Sequence, residues 1–163
     1  MSDTPSPMRP TVEARPEDVA SPDAIIAALY DCISGPAGSR NWARLKTLYL
    51  PEARLIPVGK RMHRDADFSV LTLAQWIEDA RPYMAENDFY EKEVMRHSDR
   101  FGRIIQAFST YETRKEPKDE AIARGINSIQ LVENEGRWWI ASVIWDNESK
   151  ENPIPGEFTP YLW

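Results

Sequence analysis

Residues Arg124–Glu148, RGINSIQLVENEGRWWIASVIWDNE, decide the fold. Two apolar runs rich in β-branched and aromatic side chains, Ile126–Val132 and Trp138–Trp145, flank Glu133-Asn134-Glu135-Gly136. Runs of that composition read as strands, and Asn and Gly supply the positive-φ positions that a tight hairpin turn needs. With Glu133 opposite Gly136, the cross-strand pairs are Leu131/Trp138, Ile129/Ile140, Asn127/Ser142 and Gly125/Ile144, with Asp146 near Ala123. That face is apolar apart from Asn127, Ser142 and Asp146. The opposite face pairs Gln130/Trp139, Ser128/Ala141, Ile126/Val143 and Arg124/Trp145. A solvated face would alternate apolar with charged residues, and neither face does. Helices are therefore expected over one face, and another chain, or more of this one, over the other.

Upstream of the hairpin the pattern changes from helical to alternating. Residues 1–20 hold four prolines and few large apolar side chains, and read as a disordered or loosely docked arm. Ser21-Pro22-Asp23 is a helix start, with Ile25, Ile26, Leu29 and Ile33 at helical spacing and Gly35-Pro36 as its end. A short second helix from Asn41 carries Trp42, Leu45, Leu48 and Tyr49 and stops before Pro51; Ala53–Val58 reads as a strand. Gly59–Val70 is a polar loop holding His63, which could reach over a pocket as a lid residue. Thr72 and Gln75 form a capping box for a third helix, with Leu73, Trp76, Ile77 and Ala80 inward and an end or kink near Pro82. Phe89–Ser98 and Arg103–Arg114 form a long hairpin around Asp99-Arg100-Phe101-Gly102. The tail, 149–163, is Pro-rich yet carries Phe158, Tyr161, Leu162 and Trp163, so it is expected to pack on the body or on a partner chain.

Three helices followed by long antiparallel strands make an α+β domain over 21–148, a curved antiparallel sheet with helices across one face. At 163 residues and 42% hydrophobic, the chain can bury one real core. Its 26 acidic and 20 basic side chains give a net charge of −6, which argues against nucleic acid or an anionic membrane as partner. No stretch is long and apolar enough for a signal peptide or a bilayer span, and a cytoplasmic protein is expected. The single cysteine, Cys32, falls among apolar residues on a helix and reads as inert packing. Two histidines and no ligand spacing leave no metal site to expect, and phosphate loops, nucleophile elbows and dinucleotide fingerprints are absent, so no cofactor is expected.

This order of elements, with GRWWIASVIW as a last strand, resembles the nuclear transport factor 2-like superfamily, which includes the SnoaL-like cyclases and ketosteroid isomerases. A narrower resemblance, to a bacterial subgroup without an assigned function, rests on five segments. They are Phe89-Tyr90-Glu91, Phe101-Gly102, Ser109-Thr110-Tyr111-Glu112, Arg124-Gly125-Ile126-Asn127-Ser128 and Asn152-Pro153-Ile154-Pro155. The resemblance implies a cone-shaped, cystatin-like α+β barrel with a pocket between helices and sheet, and it says little about function, since the fold hosts enzymes and binding modules alike.

The expected pocket takes its residues from these strands. Asp146, at the end of the last strand, would be a base whose pKa apolar neighbours raise. Asn127 and Ser142 on the same face would orient a ligand, with Trp76 and Ile140 completing the lining. Tyr111 or His97 would donate a proton, the tyrosine role being one that the resemblance to ketosteroid isomerases implies. Glu91, Glu93 and Glu112 are expected together on the other face of their hairpin, paired with Arg114 or Arg124. Two functions follow. One is a small-molecule-binding domain, dimeric through its sheet face, working as a cofactor-free lyase or isomerase on an apolar substrate. The alternative is a non-catalytic assembly module whose cone is plugged by Trp76, Trp138 and the tail, with Trp139 and Trp145 as interface anchors.

Overall fold

In the computed structural model, residues 13–59 and 67–161 are described. The elements run α1 (Pro16–Val19), α2 (Pro22–Ile33), α3 (Trp42–Leu48), β1 (Tyr49–Pro57), α4 (Leu73–Glu86), β2 (Tyr90–Phe101), β3 (Ile104–Arg114), β4 (Ala123–Asn134) and β5 (Arg137–Asn147), with a short 3-10 turn at Gly156–Phe158. Of the expected arm, residues 1–12 lie outside the described residues, as does His63. Within residues 13–20, Val19 is buried and Asp18 is buried against the Arg44 guanidinium, 2.8 Å away. That neighbour holds the Asp18 carboxyl below its usual range.

Local chemistry sets the helix ends. The Ser21 hydroxyl accepts from the Ala24 N–H at 3.0 Å, and Thr72 and Gln75 close the capping box that opens α4. Ile25, Ile26, Leu29 and Ile33 are buried on one side of α2, each contributing about 2 kcal/mol of apolar burial. Of the two expected outcomes at Pro82, the end does not occur: α4 runs through Pro82 to Glu86. Pro82 lies on the exposed face, where the carbonyl it leaves unpaired reaches water, while Met84 is buried and anchors the last turn.

The five strands stand in the order β1-β5-β4-β3-β2 in an open sheet. Four are antiparallel, but β1 runs parallel to β5, so the sheet is mixed and not wholly antiparallel. Between β1 and β5 the chain makes a long excursion through α4 and three strands, so no hairpin constrains their relative direction. The core lies between the helices and one sheet face, where Ile105, Ala107, Ile129, Leu131, Trp138, Ile140 and Val143 meet α2 and α3.

The hairpins differ from the expected register in two ways. First, both turns are displaced, the last by one residue at the same length and the other also becoming shorter. Asn134 pairs with Arg137, so Glu135 (φ 51°) and Gly136 (φ 79°), not Asn134, hold the left-handed positions. In the other hairpin Phe101 pairs with Ile104. Second, each hairpin contains a bulge. Leu131 pairs with Ile140 but Gln130 with Ser142, leaving Ala141 as the extra residue; Glu93 pairs with Tyr111 but Met95 with Thr110, leaving Val94. An extra residue moves every side chain beyond it to the other face. Beyond Ala141 the inward residues of β5 are Val143, Trp145 and Asn147, opposite Ile129, Asn127 and Gly125.

Candidate active site

The bulge at Ala141 separates residues expected together. Asn127 stays on the helix-covered face and pairs with Trp145, while Ser142 and Asp146 lie on the outer face. There the Ser142 hydroxyl donates to Gln130 Oε1 at 3.3 Å, and exposed Asp146 accepts from Asn152 Nδ2 at 3.2 Å. His97 is also outward and exposed, its ring edge-on to Phe158 at 6.0 Å. Ile140 is inward but belongs to the solid core. Of the expected site residues, Asn127, Tyr111 and Trp76 come together, and Trp145 joins them, so it is no interface anchor on the outer face.

They line a cavity of about 410 Å³ between α2, α4 and the sheet. Leu29, Ile33, Leu55, Met84, Phe89 and Val143 supply apolar wall. Trp76, edge-on to Trp42 at 6.2 Å, and Ala80 face it from α4, while Asp79 and Tyr83, on the exposed side, stand at its mouth. The cavity is not filled by Trp138, which packs in the core.

The polar groups gather on β2, β3 and β4. The Tyr30 hydroxyl descends from α2 to 2.7 Å from Ser109 Oγ and 3.0 Å from Asn127 Nδ2. The direction of this chain follows from its end. Ser109 donates to the Glu93 carboxylate, which also takes the Arg96 guanidinium at 2.7 Å. Ser109 therefore accepts from Tyr30, and Tyr30 accepts from Asn127. Burial pushes the Tyr30 and Tyr49 hydroxyls well above the usual range, so both stay protonated. Tyr111 donates to Asn147 Oδ1.

Glu91 is the group that sequence reasoning missed. It stands opposite Thr113 on the inner face and does not share the outer face with Glu112, because the observed register differs from the expected one by an odd number of residues. Glu112 does pair with Arg114, but on the outer face and away from Glu91 and Glu93. The Glu91 carboxylate accepts from Thr113 Oγ1 at 3.2 Å and is hydrogen-bonded by Asn127. Burial pushes its pKa up to about 7, against the smaller opposing effect of those two donors. Its backbone is held as firmly as its side chain. Ser34, just past α2, donates to the Glu91 carbonyl and accepts from the Glu91 N–H, both at 3.0 Å. Next to it Gly35 and Phe89 exchange backbone hydrogen bonds at 2.8 and 3.0 Å. Arg40 fixes this segment by donating to the carbonyls of Ile33, Gly35, Pro36 and Gly38. A carboxyl that changes its proton near neutral pH, in an apolar cavity and in a fixed position, is equipped for general acid–base chemistry.

Among the described residues no group of three or more metal-ligating side chains occurs, and no helix is long and apolar enough to cross a membrane.

No family model and no curated protein matches the chain. Solved structures do. A nuclear transport factor 2-like protein of unknown function from Silicibacter pomeroyi aligns with a TM-score of 0.53 at 16% identity, over 77% of this chain and 92% of that one. A protein of unknown function with a cystatin-like fold from Nostoc punctiforme gives 0.59 at 5% identity, over 77% and 87%. A candidate ketosteroid isomerase from Kribbella flavida gives 0.50 at 15%, over 88% and 89%. At these identities the likeness is one of architecture: the chain has the nuclear transport factor 2-like, cystatin-like α+β fold.

Proposed function

We propose that the chain is a small-molecule-binding domain that carries out general acid–base catalysis on an apolar substrate, as a cofactor-free lyase or isomerase. The observation that carries this reading is Glu91. It lies in a cavity of about 410 Å³ with its pKa pushed up to about 7. The proton-transfer role first expected of Asp146 passes to Glu91, Asn127 keeps the orienting role, and of the two expected proton donors, Tyr111 and His97, the role falls to Tyr111. The similarity to a candidate ketosteroid isomerase supports the same reaction class.

The test is deuterium exchange. Unsaturated cyclic ketones incubated with the protein in heavy water should gain deuterium next to the carbonyl, followed by NMR. Glu91→Gln should lower the rate by about a hundredfold or more, the contribution typical of a positioned general base. Exchange at equal rates in both proteins would end the reading.

A homodimer through the outer sheet face belongs to the same proposal, as does a cytoplasmic location, which suits a free buried thiol at Cys32. Phe108 is 42% and Ile144 39% exposed on that face, and the two flank Ser128 from the neighbouring strands, so they form one apolar patch. Ile144→Glu should convert a dimer to monomers in sedimentation, and an unchanged coefficient would remove the dimer. Trp145→Glu no longer tests it, because Trp145 points into the cavity. The same exposed patch favours the second reading, a non-catalytic assembly module, which gains if the exchange experiment fails and the dimer stands.

A further inference from the structure

The hydrogen-bond chain from Glu93 to the cavity runs in one direction only. Arg96 donates to both oxygens of the Glu93 carboxylate, at 2.9 Å to one and 2.7 Å to the other, and holds it as a group that can only accept. Ser109, fully buried, gives its proton to Glu93 and keeps its lone pairs for Tyr30. Tyr30, which burial keeps protonated, gives its proton to Ser109 and keeps a lone pair for Asn127. The Asn127 amide must then turn its nitrogen toward Tyr30, and that same nitrogen donates to Glu91. Turned the other way, the amide would set its oxygen against a Tyr30 oxygen whose proton is already engaged. Two acceptors in contact in a buried place are costly.

Held in this way, Asn127 meets the two forms of Glu91 unequally. The carboxylate gains a donor, whereas the protonated carboxyl offers an O–H and finds no acceptor on the amide. We propose that Tyr30 and Ser109 are positioning residues: anchored by Glu93 and Arg96, they lock the Asn127 amide in the orientation that favours the carboxylate form of Glu91. The lock works against burial, which favours the protonated form, and the balance readies Glu91 both to take a proton and to return it. This rests on the reading of Glu91 as the acid–base group. It gives a part to Ser109, which does not line the cavity.

Ser109→Ala tests the lock from a distance, since the side-chain hydrogen bonds of Glu91 come from Thr113 and Asn127. It removes no charge. Among the described residues, the other titratable groups lining the cavity all stay: Tyr30 from α2, Tyr49 from β1, Asp79 and Tyr83 from α4, and Tyr111 from β3. Without Ser109 the Tyr30 proton can turn to the Asn127 oxygen, the amide can rotate, and Glu91 can keep its proton to higher pH. Tyr30→Phe releases the same amide one link nearer. With the glutamate carboxyl carbons labelled, NMR titration of the folded variants should show the Glu91 midpoint raised by about one pH unit or more in each, the worth of a hydrogen bond to a charged group. Loosened packing acts in the opposite sense, because water reaching Glu91 would lower the midpoint toward 4.5. A midpoint unchanged or lowered in either variant overturns the inference. The two readings fail separately. A native midpoint near 7 that neither variant moves ends the lock and leaves Glu91 its acid–base role. A native midpoint near 4.5 that both variants raise ends that role and leaves the lock.

Discussion

Glu91→Gln should make the protein more stable above neutral pH and no more stable at low pH. The folded chain holds the Glu91 proton up to about pH 7, whereas the unfolded chain releases it near the ordinary 4.5. Between those values the folded state binds more protons, so stability falls as pH rises and levels off above the folded pKa. Ionising the buried carboxyl costs on the order of 3 kcal/mol, taken from the separation of the two values. A glutamine carries no such cost, although its amide is a weaker acceptor than a carboxylate for Thr113 and Asn127. Thermal melts of both proteins from about pH 4 to pH 9 measure this. The difference in Tm should be near zero at the acid end and several degrees in favour of glutamine at the alkaline end. A stabilised variant with lost proton transfer would be the trade expected of a functional group held in an unfavourable place.

The second large effect concerns Gly125. A Cβ there would lie 2.2 Å from the Tyr111 hydroxyl and 2.4 Å from the Asp146 backbone carbonyl oxygen. Neither is the free end of a flexible side chain. Tyr111 is buried and donates to Asn147, and the carbonyl belongs to the neighbouring strand, where Gly125 pairs with Asn147. Gly125→Ala must therefore push β4 and β5 apart at the cavity or expel the Tyr111 ring. Overpacking of this kind costs about 3 kcal/mol, enough to lower Tm by about 6–12 °C in a chain of this size. Gly136→Ala is the control. Its added methyl meets open space, and the strain of a non-glycine residue at φ 79° costs only about 1 kcal/mol. Equal melts for the two variants would contradict the crowding at Gly125.

Much of the fold was legible because its signals are local. The Ser21 cap, the Thr72–Gln75 box, the period-two runs and the Gly136 turn each depend on residues a few positions apart. The site depended on parity across strands, which local signals do not carry. Neither Val94 nor Ala141 has a side chain that marks it as a bulge, and each extra residue reverses the faces of what lies beyond it. One such residue moved Ser142 and Asp146 outward and Trp145 inward. Asn127 escaped because β4 itself carries no extra residue between Ala123 and Asn134, and its inward face runs unbroken through Gly125, Asn127, Ile129 and Leu131. Glu91 carried one usable signal: an acid two residues after Phe89, in a strand whose partner offers Thr113 and Tyr111. Reading it required the extra residue at Val94, which turns Glu91 to the inner face; the tight turn at Phe101 and Ile104 alone would have left it outward.

The proton on Glu91 is the most direct test. With glutamate side chains labelled at the carboxyl carbon, NMR titration of the native protein should give one resonance that titrates near pH 7, absent from the spectrum of Glu91→Gln. If every glutamate carboxyl titrates close to the ordinary 4.5, Glu91 is not buried as described and the cavity has no acid–base centre.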